Sequence, residues 1–417
     1  RHTSQPEKQD YVRGRSVNQH VAHRTALSRT VLGLLLVLTL GLAACGGAAD
    51  DRTDTSSDGS QGGEGSESTA EVTTTPKNGA TDVAPRDDVK ATVSAGTIKE
   101  ITLQNDDGEA VEGTLSDDNK TWKVTEPLGY GKSYSWSGTV VGKNDRKAPI
   151  EGSFTVVDPE STLHAQFNVG DDRTYGVAEP IALNFDHPVQ NKAAAEKALS
   201  VKTSKPTEGS WAWLNNDTSV HYRPKQYWKP HTDVHVEADL YGVDLGGGAW
   251  GESDITVDFS IGDKQALKGN TQKHQLSLYK AGEKIASYPV SYGANSDPRR
   301  ITRSGPHVVM ATHKQFSMSN AQFDYENVEV PWAIRISNNG EFIHGYAPTI
   351  GVQGEQNVSH GCVNMDPDDA KRVMNFVQIG DPVEISGSSK QLGPSDGAYY
   401  DWTLSWSKWQ SLSALNG

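Results

Sequence analysis

Apolar and polar residues alternate with a period of two along most of this chain, the spacing that turns one face of a β-strand to a core and the other to water. Within residues 73–158 the alternation falls on Ile101 and Leu103, on Trp122 and Val124, on Tyr134, Trp136 and Val140, and on Phe154 and Val156. Asp106-Asp107-Gly108 supplies a hairpin turn among them. Residues 159–262 repeat the scheme at Ile181, Leu183 and Phe185, at Val220 and Tyr222, at Val234, Val236, Ala238 and Leu240, and at Ile255, Val257, Phe259 and Ile261. Each block predicts a small β-sandwich. The alanine-rich stretch 191–199 is the helical exception, expected to cap one sandwich edge.

Pro127-x-x-Tyr130 and Pro224-x-x-Tyr227 occupy matching places in the two blocks, so these read as two immunoglobulin-like domains in tandem. Neither contains the cysteine pair of antibody domains, a cluster of acids with metal spacing, or a stray nucleophile.

A third block, residues 263–387, opens with a hairpin in which Leu276, Leu278, Ile285 and Val290 flank Ala281-Gly282-Glu283. A second hairpin pairs residues 332–336 with 341–343 around Asn338-Asn339-Gly340, and its return strand runs straight into His344. Asp366-Pro367-Asp368-Asp369 predicts a helix start, with an N-cap, a proline at the first position and acids in the first turn, and the helix closes near Gly380. Val383-Glu384-Ile385 is the last strand. In the tail, residues 388–417, Trp402, Trp406, Trp409 and Leu412 fall on one face of a helix. That face is expected to pack back on the third block, a membrane-interface helix being the alternative. The fold class is therefore mainly β, with two immunoglobulin-like β-sandwiches, a β-rich third domain and a short C-terminal helical tail.

The N-terminal region departs from this pattern. Arg24 and Arg29 precede a mostly apolar run over residues 31–44, shorter than the ~20 residues a membrane-spanning helix needs. Residues 1–45 thus read as a signal peptide. The run ends Leu42-Ala43-Ala44-Cys45-Gly46, which resembles the lipobox of bacterial lipoproteins, and the resemblance implies acylation of Cys45. An ordinary signal peptide is the other reading. Because the sequence opens with Arg1, residues 1–23 read either as a misplaced start or as an extended cytoplasmic segment. Residues 46–72 hold seven acids, Arg52 as the only base and no aromatic residue, the composition of a flexible acidic tether spanning roughly 30 Å.

The chain has 417 residues, 35% hydrophobic and 22% charged, with a mean hydropathy of −0.60. Without residues 1–44 it carries 33 Lys+Arg against 51 Asp+Glu, a formal charge of −18. That balance argues against a nucleic-acid partner or a polybasic membrane patch. Membrane attachment is expected through the lipid.

With Cys45 assigned to lipidation, the second of the two cysteines, Cys362, is the remaining free thiol. It lies in Ser359-His360-Gly361-Cys362-Val363-Asn364, eighteen residues beyond His344-Gly345. An exported thiol without a disulfide partner is either a small buried hydrophobe or a nucleophile. Gly361 permits close backbone approach, and His344 and His360 are two bases able to take a proton from a thiol of pKa about 8.5, so the surroundings favour the nucleophile.

These residues resemble the Ser/Thr-His-Gly-Cys-x-Asn signature of the YkuD-type L,D-transpeptidases, together with that family's upstream His-Gly or His-Ser, and the resemblance covers about residues 265–387. It is to the mycobacterial and actinobacterial members, lipoproteins with tandem immunoglobulin-like domains. It implies a cysteine acyltransferase of peptidoglycan. Cys362 would attack the carbonyl at diaminopimelate of a donor tetrapeptide stem, D-Ala would leave, and the side-chain amine of an acceptor stem would complete a 3→3 cross-link. By resemblance His344 is the base, oriented by the carbonyl of Gly345, and Tyr325, Asn339, Gly340, Ser359 and Asn364 contact substrate. His360 lies two residues from Cys362 and competes for the role of base; a positioning role is preferred. The backbone N–H groups of Gly361 and Cys362 are the expected oxyanion donors. No cofactor or metal is implied, and carbapenem β-lactams are expected inhibitors.

The match is imperfect in two places. Thr302-Arg303-Ser304-Gly305 carries Arg303 where the family usually has proline in Thr-Pro-x-Gly, and residues 318–325, the position of the substrate lid, read as shortened. Other readings are an L,D-carboxypeptidase, in which water resolves the thioester, and a non-catalytic cell-wall-binding lipoprotein. A papain-like hydrolase places Cys before His, the reverse of this order, and a zinc site of His344, His360 and Cys362 lacks a fourth ligand. The sandwiches are expected to act as spacers, with peptidoglycan or protein binding as the alternative.

Overall fold

The computed structural model describes residues 15–16, 70–142 and 145–416. The apolar run 31–44, Cys45 and the acidic stretch 46–69 lie outside the described residues. No helix among the described residues is long and apolar enough to cross a membrane.

The period-two runs form strands as their spacing requires. In the first sandwich a sheet of Glu71–Thr75, Lys90–Ser94, Thr121–Val124 and Gly113–Leu115 faces one of Ala80–Val83, Lys147–Val156, Ser133–Gly142 and Gly96–Asn105. Leu103, Trp122, Tyr134, Trp136, Val140 and Phe154 fill the space between, with Trp122 edge-on to Trp136 at 5.5 Å. In the second, Ala165–Phe167, Ile181–Phe185, Ser219–Pro224 and Gly209–Leu214 face a sheet of Leu199–Thr203, Asp233–Ala238, Ile255–Ile261 and Arg173–Tyr175, which also takes in the two-residue strand Arg15–Ser16. Helix α1 (Lys192–Lys197) starts where the Asn191 side chain accepts from the Ala194 N–H.

The two repeated tyrosines occupy the joints between units. Tyr130 donates to the Gly251 carbonyl, accepts from the Gly242 N–H, and lies 4.7 Å from the ring of Tyr241, so the first sandwich is clasped to the second. Tyr227 packs edge-on to Trp402 of the tail at 4.6 Å, and its hydroxyl is buried beside Glu384 of the third unit.

Nine strands make the third unit: β1 (Gln265–Asn270), β2 (Gln275–Lys280), β3 (Glu283–Ser291), β4 (Gly305–Val308), β5 (Ala311–Asn320), β6 (Tyr325–Arg335), β7 (Phe342–Gly345), β8 (Val363–Met365) and β9 (Pro382–Ser386). Their order across the sheet is β4-β9-β1-β2-β3-β8-β7-β6-β5. Helix α2 (Pro367–Phe376) begins at the Asp366 cap and covers one face, burying Ala370 and Val373 against Ile334, Ile343, Val363 and Met365. Ile285 is half exposed on the outer side of β3 and stays out of this core, unlike Leu276, Leu278 and Val290.

The tail differs from its sequence pattern. The spacing of Trp402, Trp406, Trp409 and Leu412 predicts one helical face on the third unit. Instead a 3-10 turn, Asp401–Thr403, which touches both β4 and the second sandwich, is followed by a five-residue helix α3 (Trp406–Gln410) docked on the second sandwich. The reason is a cation and a set of acceptors on that surface. The Arg223 guanidinium sits 4.8, 5.4 and 4.7 Å from the rings of Trp402, Trp406 and Trp409. The Trp409 indole is fully buried and donates to the Ser210 carbonyl. Buried Asp401 meets His221 at 2.7 Å, and Glu196 accepts from the Ala414 N–H.

Candidate active site

Strands β7 and β8 run parallel in the middle of the sheet, with Ile343 opposite Val363, His344 opposite Asn364 and Gly345 opposite Met365. Because successive side chains point to opposite faces, Ile343, Val363 and Met365 enter the core under α2 while His344 and Asn364 face the other way. Cys362, two residues before Asn364, joins them on that face. His344, Cys362 and Asn364 line one cavity of about 300 Å³. Its opposite wall is the hairpin β5–β6, whose Met318, Tyr325, Val328 and Val330 give it an apolar lining, and Tyr346, Thr349, Val358, Ser359 and His360 complete it. The stretch 318–325 is thus the tip of a long hairpin that forms a side of the site.

His344 is buried, and its Nδ1 lies 3.0 Å from the Gly345 carbonyl oxygen. A carbonyl only accepts, so Nδ1 carries the proton and Nε2 keeps its lone pair. Burial lowers its pKa to about 4, with the Gly345 bond opposing weakly, so the ring is neutral at physiological pH. Gly345 is required beside it: a Cβ there would stand 2.9 Å from Pro367 Cα and 3.0 Å from Pro331 Cγ.

The Cys362 thiol is partly open to the cavity, and its Sγ lies 3.7 Å from the Gly340 carbonyl. Burial pushes its pKa up to about 12; the Phe342 N–H opposes this, and the charge of Glu341 adds to it. Thiol and imidazole are therefore both neutral at rest.

The signature turn is held from within. The Ser359 hydroxyl donates to the Cys362 carbonyl at 2.6 Å and accepts from the Gly361 N–H at 3.1 Å. Thr302 Oγ1 donates to the Gly361 carbonyl, and Arg300 donates to the carbonyls of Val358 and Ser359. At Gly361 φ is +128°, a conformation glycine alone adopts readily. Of the two N–H groups expected as oxyanion donors, that of Gly361 is thus engaged by Ser359 in this structure. Ser359 lines the cavity, yet its hydroxyl is occupied by the turn.

The remaining sequence-predicted residues divide. Tyr325 lines the cavity and lies, with its ring tilted, 5.5 Å from that of His360, which is exposed and also lies 4.8 Å from Phe323 at the hairpin tip. Burial, then the nearby Arg300, lowers the His360 pKa. Gly340 faces the thiol from outside the cavity lining. Asn339 turns away, its amide donating to Asp396 at 3.1 Å and its Oδ1 accepting from Ser337. Val328 and Val330 were detectable as an alternating pair, whereas nothing in the sequence marked Tyr346, Thr349 or Val358.

L,D-transpeptidase 5 of Mycobacterium tuberculosis is 40% identical over 347 residues, which cover 82% of this chain and 77% of that protein. The chain belongs to the L,D-transpeptidase family. L,D-transpeptidase 2 of the same organism is 34% identical over 353 residues, covering 83% of the chain and 84% of the relative. The family model for an L,D-transpeptidase catalytic domain matches residues 264–385, and a model for a bacterial Ig domain matches 80–244, across both sandwiches. A solved L,D-transpeptidase in complex with imipenem is 28% identical, with a TM-score of 0.46, covering 55% of this chain and 99% of that one.

Proposed function

We propose that this L,D-transpeptidase forms 3→3 cross-links in peptidoglycan through a thioester on Cys362. The observation that carries the reading is the hydrogen bond from His344 Nδ1 to the Gly345 carbonyl, which leaves a bare Nε2 in the cavity that Cys362 also lines. In the first half-reaction Nε2 takes the thiol proton as Sγ attacks the carbonyl at diaminopimelate of a donor tetrapeptide. The C–N bond to D-Ala then breaks, and the proton passes from His344 to the departing amine. In the second half-reaction the side-chain amine of an acceptor stem attacks the thioester, His344 accepts its proton, and the thiol is restored. The Cys362 N–H stabilises the oxyanion. Tyr325 and Asn364 hold the donor stem, and His360 positions the hairpin tip against the site.

The apolar hairpin wall supports transfer to an amine, since it limits access of water to the thioester. A strained β-lactam carbonyl in the same place acylates the same sulfur, and carbapenems are the class proposed to do so. Production of D-Ala and of a 3→3 dimer from tetrapeptide stems, absent in Cys362→Ala, is the test.

The lipobox resemblance at Leu42-Ala43-Ala44-Cys45-Gly46 supports anchoring through acylated Cys45 on the outer face of the cell membrane, with residues 46–69 as the tether into the wall, since Glu71 and Val72 already belong to the first strand of the sandwich. In the producing cell, Cys45→Ser is expected to move the protein out of the membrane fraction; full retention there contradicts the anchor.

A further inference from the structure

Arg303, the residue that departs from the family's proline, does more than preserve a turn. Its N–H donates to Glu341 Oε1 at 2.9 Å, and its guanidinium reaches the same oxygen at 3.4 Å and Asp396 Oδ1 at 2.9 Å. Glu341 is buried, with its other carboxylate oxygen 3.2 Å from His307 Nε2. Its side chain runs beneath the signature turn: a Cβ on Gly361 would lie 3.9 Å from Glu341 Cγ.

The segment around Glu341 touches the reacting sulfur. The Gly340 carbonyl is 3.7 Å from Cys362 Sγ, and Phe342 opens β7, which carries His344. On its far side the same segment is gripped by the tail. Asp396 Oδ1 also accepts from Asn339, Asp396 Oδ2 accepts from the Gly393 N–H, and the Tyr399 N–H donates to Asn338 at 3.2 Å. A proline at 303 has neither the N–H nor the guanidinium, so the backbone bond to Glu341 needs a residue other than proline here, and the bridge to the tail needs a long cationic side chain.

We propose that Arg303, Glu341 and Asp396 form a positioning assembly for the acyl-transfer site, which locks residues 338–342 against Cys362 and makes the C-terminal tail part of that site. The assembly acts through backbone: it touches no reacting atom, and it fixes the strand edge from which the thiol and His344 take their places. Its loss leaves a buried carboxylate with one charged partner fewer and frees the turn to shift. Displacements near 1 Å at a nucleophile lower turnover far more than they lower binding. Such a shift appears in kcat and leaves KM alone.

The inference rests on Cys362 being the nucleophile, and the experiment separates the two. In the full chain, D-Ala release from a tetrapeptide donor is measured for the parent, Cys362→Ala, Arg303→Met, Arg303→Lys and Asp396→Asn, with thermal unfolding of each. Arg303→Met is expected to lower kcat between about tenfold and a hundredfold, with KM within about twofold of the parent. Asp396→Asn, which keeps shape and loses charge, is expected to lower kcat about fivefold. Arg303→Lys keeps the N–H and the charge and is expected to recover most of the loss. If Arg303→Met does not fold, Asp396→Asn and Arg303→Lys decide. Parent-like kcat in Asp396→Asn, a loss confined to KM, or Arg303→Lys as impaired as Arg303→Met overturns the proposal. Turnover by Cys362→Ala instead overturns the nucleophile, whatever the other variants do.

Discussion

His344 stands opposite Asn364 across the parallel pairing of β7 and β8. That register, with the period-two alternation of strands, puts His344, Cys362 and Asn364 on one face from segments eighteen residues apart, with no long-range loop needed to assemble them. A one-residue slip would send His344 into the core and Ile343 into the cavity. Ile343, Val363 and Met365, buried under α2, guard against it.

The pH profile follows from burial of the base. A histidine whose pKa is lowered to about 4 loses its proton, and becomes competent as a base, above that value. The acid limb of kcat/KM for D-Ala release is therefore expected near pH 4, well below the ~6.5 of an unperturbed imidazole. His344→Ala is expected to lose at least about a hundredfold in kcat, and His360→Ala far less, because the exposed ring of His360 contacts the hairpin and not the buried base position. An acid limb near 6.5, or equal losses in the two variants, contradicts the assignment.

The tail makes a stability prediction. Trp409 is fully buried between Ala212 and Leu214 and stacked on Arg223, so Trp409→Ala is expected to cost about 3–5 kcal/mol. Denaturant unfolding measures it, and a cost below about 1 kcal/mol, the level of an unremarkable surface change, contradicts the docking described.

Carbapenem acylation tests the proposed chemistry of the sulfur apart from any natural stem. Intact-protein mass spectrometry is expected to find one imipenem or meropenem adduct on the parent chain and none on Cys362→Ala. An adduct on the alanine variant, or none on the parent, contradicts it.

Much of this was legible in the chain. Ile181, Leu183 and Phe185, or Val234, Val236 and Ala238, name a strand and its buried face because a period of two has only one structural meaning over that length. The signature turn and His344 were legible because the chemistry demands rare residue types at fixed spacing. What stayed hidden depends on partners distant in sequence. The indoles of the tail announced an apolar face, but the surface they cover is chosen by Arg223, nearly two hundred residues earlier. Arg303 was visible as a departure from the family, and its reason lies in Glu341 and Asp396, which no local pattern connects to it.

The central claim is that Cys362, with His344 as its base, carries an acyl group from one stem to another. Incubation of purified protein with tetrapeptide stems, followed by mass-spectrometric analysis of the products, tests it directly. Free D-Ala together with a dimer cross-linked between two diaminopimelate residues is expected from the parent, and neither product from Cys362→Ala. A 3→3 dimer formed by Cys362→Ala above the no-enzyme level, or tripeptide alone from the parent, would contradict it.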